Sequence, residues 1–346
     1  MIPSSKPILV TGASGFVALH TIIQLLQQGH KVRGTLRTLS REGEVRETIS
    51  NFVQANNRFE ILPAELNQDA GWSEAVKDVE YVLHIVSPFP LFAPKDENEL
   101  IAPAVQGTQR VLRAAHDRGA RIKRVVIVSS NAAVSAGHNG ENRTFTEDDW
   151  SVVENNIGAY SKSKTLAERE AWNFINGAEN TNKMELVTIN PPLILGPVPN
   201  KIFRTSVEMI RIFMRGEVPG VARLKIGLVD VRDVAAALIL AMTTPEAAGN
   251  RFACSGATIW IKEVADILHK EYAGRGYKKI PRIQFPSFFV RVLALFDKKI
   301  ALVVRDLDWD YELSNEKSKR ILKWNPRPAE EAILSMAESL IEQGFV

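Results

Sequence analysis

The sequence predicts an α/β fold, a doubly wound parallel sheet with a smaller C-terminal domain interleaved with it, and three observations carry that prediction. Short β-branched runs alternate with longer helical patterns through the first half of the chain. The first strand-to-helix turn holds a pair of glycines at a spacing that suits a tight loop. Beyond residue 190 the texture changes, with Pro197 and Pro199 breaking regular structure before an amphipathic segment at 207–214.

The strand-like runs lie at 8–11, 32–36, 59–62, 81–86, 125–129 and 186–189. Their alternation with helical patterns is the signature of a parallel sheet covered by helices on both faces. Between the runs, 16–28, 99–117 and 160–175 are apolar at helical spacing, so the order of elements is that of repeated βαβ units. The run Leu228-Val229-Asp230-Val231-Arg232-Asp233-Val234 and then Arg251-Phe252-Ala253-Cys254 reads again as strand, turn, helix and strand. The chain is therefore expected to return: 1–190 with 229–258 forms the larger domain, and 191–228 with 259–346 the smaller. At 346 residues, 45% of them hydrophobic, it can bury a core for one large domain or two moderate ones.

Composition narrows the classes of partner. Forty-three Lys and Arg face 40 Asp and Glu, and no long basic run is interleaved with aromatics, so nucleic acid is not an expected partner. Cys254 is the only cysteine, which excludes an intrachain disulfide and suggests a small buried thiol in a reducing, cytoplasmic setting. The N-terminus runs straight into a strand-like stretch and leaves no room for a secretory leader. The strongest apolar run elsewhere, 288–296, is interrupted by Arg291 and has about half the length that spans a bilayer. It reads as a helix packed in the smaller domain, and no membrane partner is expected. His84 has no second His, Cys or acid at ligand spacing, so it reads as structural and no metal is expected. Asp230 and Asp233 read as a turn and a helix cap.

The first βα turn is Val10-Thr11-Gly12-Ala13-Ser14-Gly15-Phe16-Val17-Ala18. Gly12 allows the tight turn, Gly15 lets the backbone approach a pyrophosphate, and Ala18 lets the helix sit close to the strand. The amides of Ser14, Gly15, Phe16 and Val17 then open the helix towards the phosphates, with its positive dipole end behind them. This is the dinucleotide turn of a Rossmann fold. An NAD site places an acid at the end of the second strand, but Lys31-Val32-Arg33-Gly34-Thr35-Leu36-Arg37 followed by Arg41 has none from 29 to 40. Arg37 is assigned to a 2′-phosphate, with Arg33 and Arg41 as further cations, and the expected cofactor is NADPH/NADP+.

Tyr160 and Lys164 stand four apart at the start of a helical pattern, so they share a face. A carbonyl that accepts hydride needs a proton as its oxygen becomes an alkoxide. Tyr160 is assigned as the donor, and a Lys164 cation beside it favours the phenolate that proton loss leaves. The fifth strand ends in Ser129-Ser130 at the edge where open α/β sheets bind ligands. Ser130 is assigned to the substrate oxygen, with Ser129 as the alternative.

The segments Val10 to Ala18, Val32 to Arg37, 82–88, Gly107-Thr108, Val126 to Ser130, Tyr160 to Glu168, 190–197 and Val229 to Val234 together resemble the dihydroflavonol reductase-like branch of the extended short-chain dehydrogenase/reductase family, in the NAD-dependent epimerase/dehydratase superfamily. That branch includes cinnamoyl-CoA reductases and yeast-type ketone and methylglyoxal reductases. The resemblance implies a cytoplasmic NADP-dependent carbonyl or aldehyde reductase, monomer or homodimer, acting on a small-molecule carbonyl compound. Residue by residue it implies Ser130, Tyr160 and Lys164 as the triad and Arg37 at the 2′-phosphate. Val86, Ser87, Pro88, Pro191 and Leu193 line the cofactor, and Glu65-Leu66 stands where the family usually has Asp-Leu near the adenine. The family's substrate pocket falls where this chain offers Phe89, Phe92, Asn131, Pro192 and Phe203, a lining suited to an apolar or aromatic carbonyl. The polar stretch 135–157, ending just before Tyr160, reads as a lid or a solvated loop. Two other readings stay open on the same fold: a nucleotide-sugar epimerase or dehydratase, and a non-catalytic NADPH-binding regulatory protein.

Overall fold

Strands as apolar as 8–10 and 124–128, buried at every residue, need cover on both faces, and the fold supplies it. The structure is a computed structural model and describes residues 6–87, 94, 96–117, 122–200, 205–301 and 303–346. In chain order the first half holds β1 (Ile8–Val10), α1 (Phe16–Gln27), β2 (Val32–Leu36), α2 (Glu42–Ser50), β3 (Phe59–Pro63), α3 (Trp72–Ala75), β4 (Tyr81–His84) and α4 (Asn98–Asp117). Then come β5 (Arg124–Val128), α5 (Ala132–Ser135), β6 (Thr144–Phe145), α6 (Gly158–Asn176), β7 (Glu185–Asn190), β8 (Leu193–Leu195), α7 (Thr205–Arg215) and β9 (Gly220–Val221). The remainder holds β10 (Lys225–Asp230), α8 (Val231–Thr243), β11 (Asn250–Ala253), β12 (Ala257–Trp260), α9 (Ile261–Tyr272), β13 (Ile283–Gln284), α10 (Ser287–Leu293), α11 (Lys298–Ala301), β14 (Glu312–Leu313), α12 (Glu316–Leu322) and α13 (Ala329–Glu342).

Seven parallel strands form the main sheet in the order β3-β2-β1-β4-β5-β7-β11. The chain starts in the middle, runs outward to β3 and returns to β4 beside β1, so the strand order reverses between β1 and β4. A crevice opens at the carboxyl ends there. Alternate residues of β1 enter opposite cores: Ile8 and Val10 pack with α1 and α8, Leu9 with α4 and α6.

The smaller unit is built on β8, β10 and β12, with β10 parallel to β8 and antiparallel to β12. Leu228 of that sheet packs with Ile210 of α7, Leu268 of α9 and Met336 of α13 in a core of its own. After β10 the chain goes back, since α8 packs on α1 and β11 pairs with β7. The crossing point is Asp230, whose side chain accepts from the Arg232 amide at 2.8 Å and caps α8. Asp233 accepts from the Arg327 amide at 2.7 Å and ties α8 to the chain just before α13.

Two expectations change. The apolar stretch 288–296 is not a packed helix: α10 buries Val290, but Phe288, Leu295 and Phe296 are 71%, 79% and 86% exposed. A seven-residue helix has only one face to bury, and Val290 with Leu224 and Leu307 fills it. The stretch 135–157 is not a free polar loop. Its β6 pairs with β14, Phe145 is fully buried against Trp309 and Tyr311, and the Arg143 guanidinium lies over the Phe145 ring. Cys254, next to β11, is buried with its Sγ 3.6 Å from Ser318 Oγ, and burial pushes the thiol up to about 12.

Candidate functional site

The crevice begins at the turn between β1 and α1. Gly12 sits at φ +70°, and a Cβ there would lie 2.6 Å from Cβ of Val86, which lies beyond the end of β4. Only a glycine lets the turn and that chain come so close. The turn is fastened by Gly12 N–H to Thr35 Oγ1 at 3.1 Å and Ala13 N–H to the Thr35 carbonyl at 2.8 Å. The Thr11 hydroxyl accepts from the amides of Ile85 and Val86 and meets His84 Nδ1 at 3.0 Å. His84 is thus held in the framework, and burial, with Lys164 nearby, pushes its pKa down to about 3. Among the described residues, the amides of Ser14, Phe16 and Val17 have no protein acceptor, so α1 presents free N–H groups at its N-terminus.

The three arginines separate. Arg33 is committed to Glu60 at 2.7 Å and to the carbonyls of Glu74, Ala75 and Lys77. Arg41 reaches back over the turn, donating to Ser14 Oγ at 3.1 Å, and pairs with Glu44. Arg37 is exposed at the end of β2 with no hydrogen bond or ion pair among the described residues. A turn with no room for a Cβ, free helix-start amides and two arginines beside it fit a dinucleotide that carries an extra phosphate.

Across the crevice, α6 carries Tyr160, Lys164 and Glu168 one turn apart, starting from Gly158 at φ +77°. The Ser129 amide donates to the Ile189 carbonyl at 2.8 Å, prolonging the β5–β7 pairing, and the Asn131 amide donates to the Pro191 carbonyl at 2.9 Å. These bonds hold Ser130 at the sheet edge. Its hydroxyl accepts from the Ala132 amide at 3.1 Å and is hydrogen-bonded to the Tyr160 side chain. The Ser129 hydroxyl points elsewhere, onto the buried Glu168 carboxylate. The two serines that sequence left as alternatives therefore have different partners.

Burial holds the half-buried Tyr160 phenol above its ordinary value, and the Ser130 hydrogen bond pulls the other way. Lys164 follows one helical turn later on α6. Burial brings the lysine itself down to about 8, against the opposing pull of Glu168, and it lines a pocket with Ser129, Glu168, His84 and Thr108. Leu66, Val86 and Ser87 line the same pocket. Leu66 packs against Gly107, while the Glu65 carbonyl accepts from Trp72 Nε1 at 2.9 Å. Leu193 opens β8, Pro192 packs beside Gly227, and the Asn131 amide side chain is turned onto Ser135 at 2.9 Å. Pro88, Phe89, Phe92 and Phe203 lie outside the described residues.

Sequence reasoning missed Glu168 and Arg251 as site residues. A charge inside the apolar run Arg251-Phe252-Ala253-Cys254, and an acid one turn beyond Lys164, were the signals available. Among the described residues, no group of three or more His, Cys, Asp or Glu is placed to hold a metal, and no helix is long and apolar enough to cross a membrane.

Comparison with known proteins gives a consistent set. A family model described as NAD dependent epimerase/dehydratase matches residues 8–254. The NADPH-dependent methylglyoxal reductase GRE2 of Saccharomyces cerevisiae is 32% identical over 285 residues, covering 77% of this chain and 82% of that one. The tetraketide alpha-pyrone reductase 2 of Arabidopsis thaliana is 33% identical over 272 residues, covering 76% and 82%. The crystal structure of the yeast methylglyoxal/isovaleraldehyde reductase complexed with NADPH superposes with a TM-score of 0.82 at 29% identity, covering 98% of this chain and all of that one.

Proposed function

The chain belongs to the NAD dependent epimerase/dehydratase family, and on that premise we propose that it is an NADPH-dependent reductase that converts the carbonyl of a ketone or aldehyde to an alcohol. The observation that carries the reading is the hydrogen-bonded pair of Ser130 and Tyr160 at the sheet edge, on the side of the crevice opposite the glycine turn.

Bound NADPH supplies the hydride. Gly12, Ser14, Gly15, Phe16 and Val17 would receive its pyrophosphate, and Arg37 and Arg41 would hold its 2′-phosphate. Tyr160 gives its hydroxyl proton to the substrate oxygen, and Ser130 donates a hydrogen bond to the same atom. The phenol is protonated at neutral pH, and burial, which raises its pKa, keeps it in that form. Lys164 keeps a cation one helical turn behind, which favours the phenolate left after transfer, until solvent returns the proton. The aromatic residues Phe89, Phe92 and Phe203, with Asn131 and Pro192, favour an apolar or aromatic carbonyl compound. The arginine pair weighs against an epimerase, whose recycled cofactor is usually NAD.

Loss of NADPH absorbance with a panel of aryl ketones, aldehydes and UDP-sugars tests the reading. Stoichiometric consumption with a carbonyl and none with the sugars is expected. Tyr160→Phe should lower kcat by about 100-fold or more while NADPH binding changes little. Unchanged turnover in that variant refutes the mechanism.

A further inference from the structure

A buried polar network lies directly behind the reacting groups, and nothing in the proposed chemistry uses it. Its centre is Glu168, with a side chain that is fully buried. One oxygen accepts from Thr188 Oγ1 at 2.8 Å and from Arg251 Nε at 2.7 Å. The other accepts from Asn190 Nδ2 at 2.7 Å and from the Ser129 hydroxyl. These donors come from β7 and β11 and from the residue just beyond β5, three neighbouring strands, so a single carboxylate fastens α6 to the sheet.

Arg251 extends the network into the chain around Ser130. Its guanidinium donates to the carbonyls of Glu147 and Asp149 at 2.7 Å and of Ala133 at 3.2 Å, and lies over the Trp150 ring. Asn190 Nδ2 donates at once to Glu168 and, at 3.2 Å, to the Ser130 carbonyl. The turn that presents the Ser130 hydroxyl is therefore held from both sides by groups that converge on Glu168.

We propose that Glu168, backed by Arg251, is a positioning residue of this site: it sets the Ser129–Ser130 turn against Tyr160 and keeps a negative charge beside Lys164. The proposal rests on the reductase reading for its link to turnover. The titratable groups near Lys164 among the described residues are Tyr160 one turn before it and Glu168 one turn after it on α6, and His84 from β4. From α4 and the end of β5 come only neutral groups, among them Thr108 and Ser129, and Arg251 of β11 meets Glu168. Among the described residues Glu168 is thus the acid that acts on the lysine, and it opposes the downward pull of burial.

Glu168→Gln keeps the shape and removes the charge. Its kcat should fall about 10-fold or more while NADPH affinity stays within about 3-fold. The alkaline limb of the kcat profile should move about one unit lower, because losing the carboxylate makes Lys164 easier to deprotonate. Carbon NMR of lysine Cε, assigned with Lys164→Met, should show the same displacement without any need for turnover. A lone buried Arg251 can unfold the single variant, so Glu168→Gln with Arg251→Met is the second test, and it should show the same downward movement. A Lys164 titration that stays in place in both variants, or a kcat that does not fall, overturns the proposal. A wild type that reduces no carbonyl while Glu168→Gln still displaces the lysine titration refutes the reductase reading and supports the charge assigned to Glu168.

Discussion

Lys164 shows at the scale of one residue how function opposes stability. It is 8% exposed and brought from 10.5 to about 8, which corresponds to about 3 kcal/mol of penalty on its charged form. The folded-state pKa is the lower one, so below about 8 the folded protein carries the whole penalty. Between about 8 and 10.5 the unfolded chain binds more protons, and raising the pH relieves the cost. Lys164→Met should therefore abolish turnover and raise the melting temperature at neutral pH. That advantage should shrink as the pH climbs towards 10.5, which thermal denaturation across the window would reveal. The Tyr160–Lys164 spacing is legible in sequence because it is local. The Glu168–Arg251 pair is not, since its members are 83 residues apart and are brought together by the packing of α6 on β7 and the pairing of β7 with β11.

Among the elements, the turn between β1 and α1 is the least tolerant of change. Gly12→Ala would have to keep φ at +70° and displace Val86, whose Cβ and Cα stand 2.6 and 3.4 Å from the new methyl. A loss of NADPH affinity of about 10-fold or more and a stability cost of about 1–3 kcal/mol are expected, measurable by fluorescence titration and denaturant unfolding. Affinity unchanged from wild type would mean that the phosphates do not rest on this turn. Strands such as Arg124–Val128 were readable because burial on two faces leaves Val or Ile at nearly every position. The pairing of β6 with β14 was not: each is two residues long, and Thr144 and Glu312 read as loop until Phe145 is seen packed under Trp309 and Tyr311. The same packing fastens the segment that sequence left as a lid or a solvated loop.

For the whole molecule, two cores are joined by a chain that leaves the main sheet after Asn190, runs through β8 and β10 of the smaller unit and returns through α8. Stability resides in those cores and not in the apolar surface around α10. Replacing both Phe288 and Phe296 by Ser should leave the melting temperature within about 1 °C, because side chains 71% and 86% exposed bury little on folding. A large drop would mean that this surface is covered in solution. The solitary sulfhydryl beneath Ser318 has a practical consequence: with Cys254 sealed from solvent, a maleimide fluorophore or nitroxide attaches only where a new cysteine is placed. One such handle on each sheet would let energy transfer follow the gap between them during a catalytic cycle, with no native thiol to remove first.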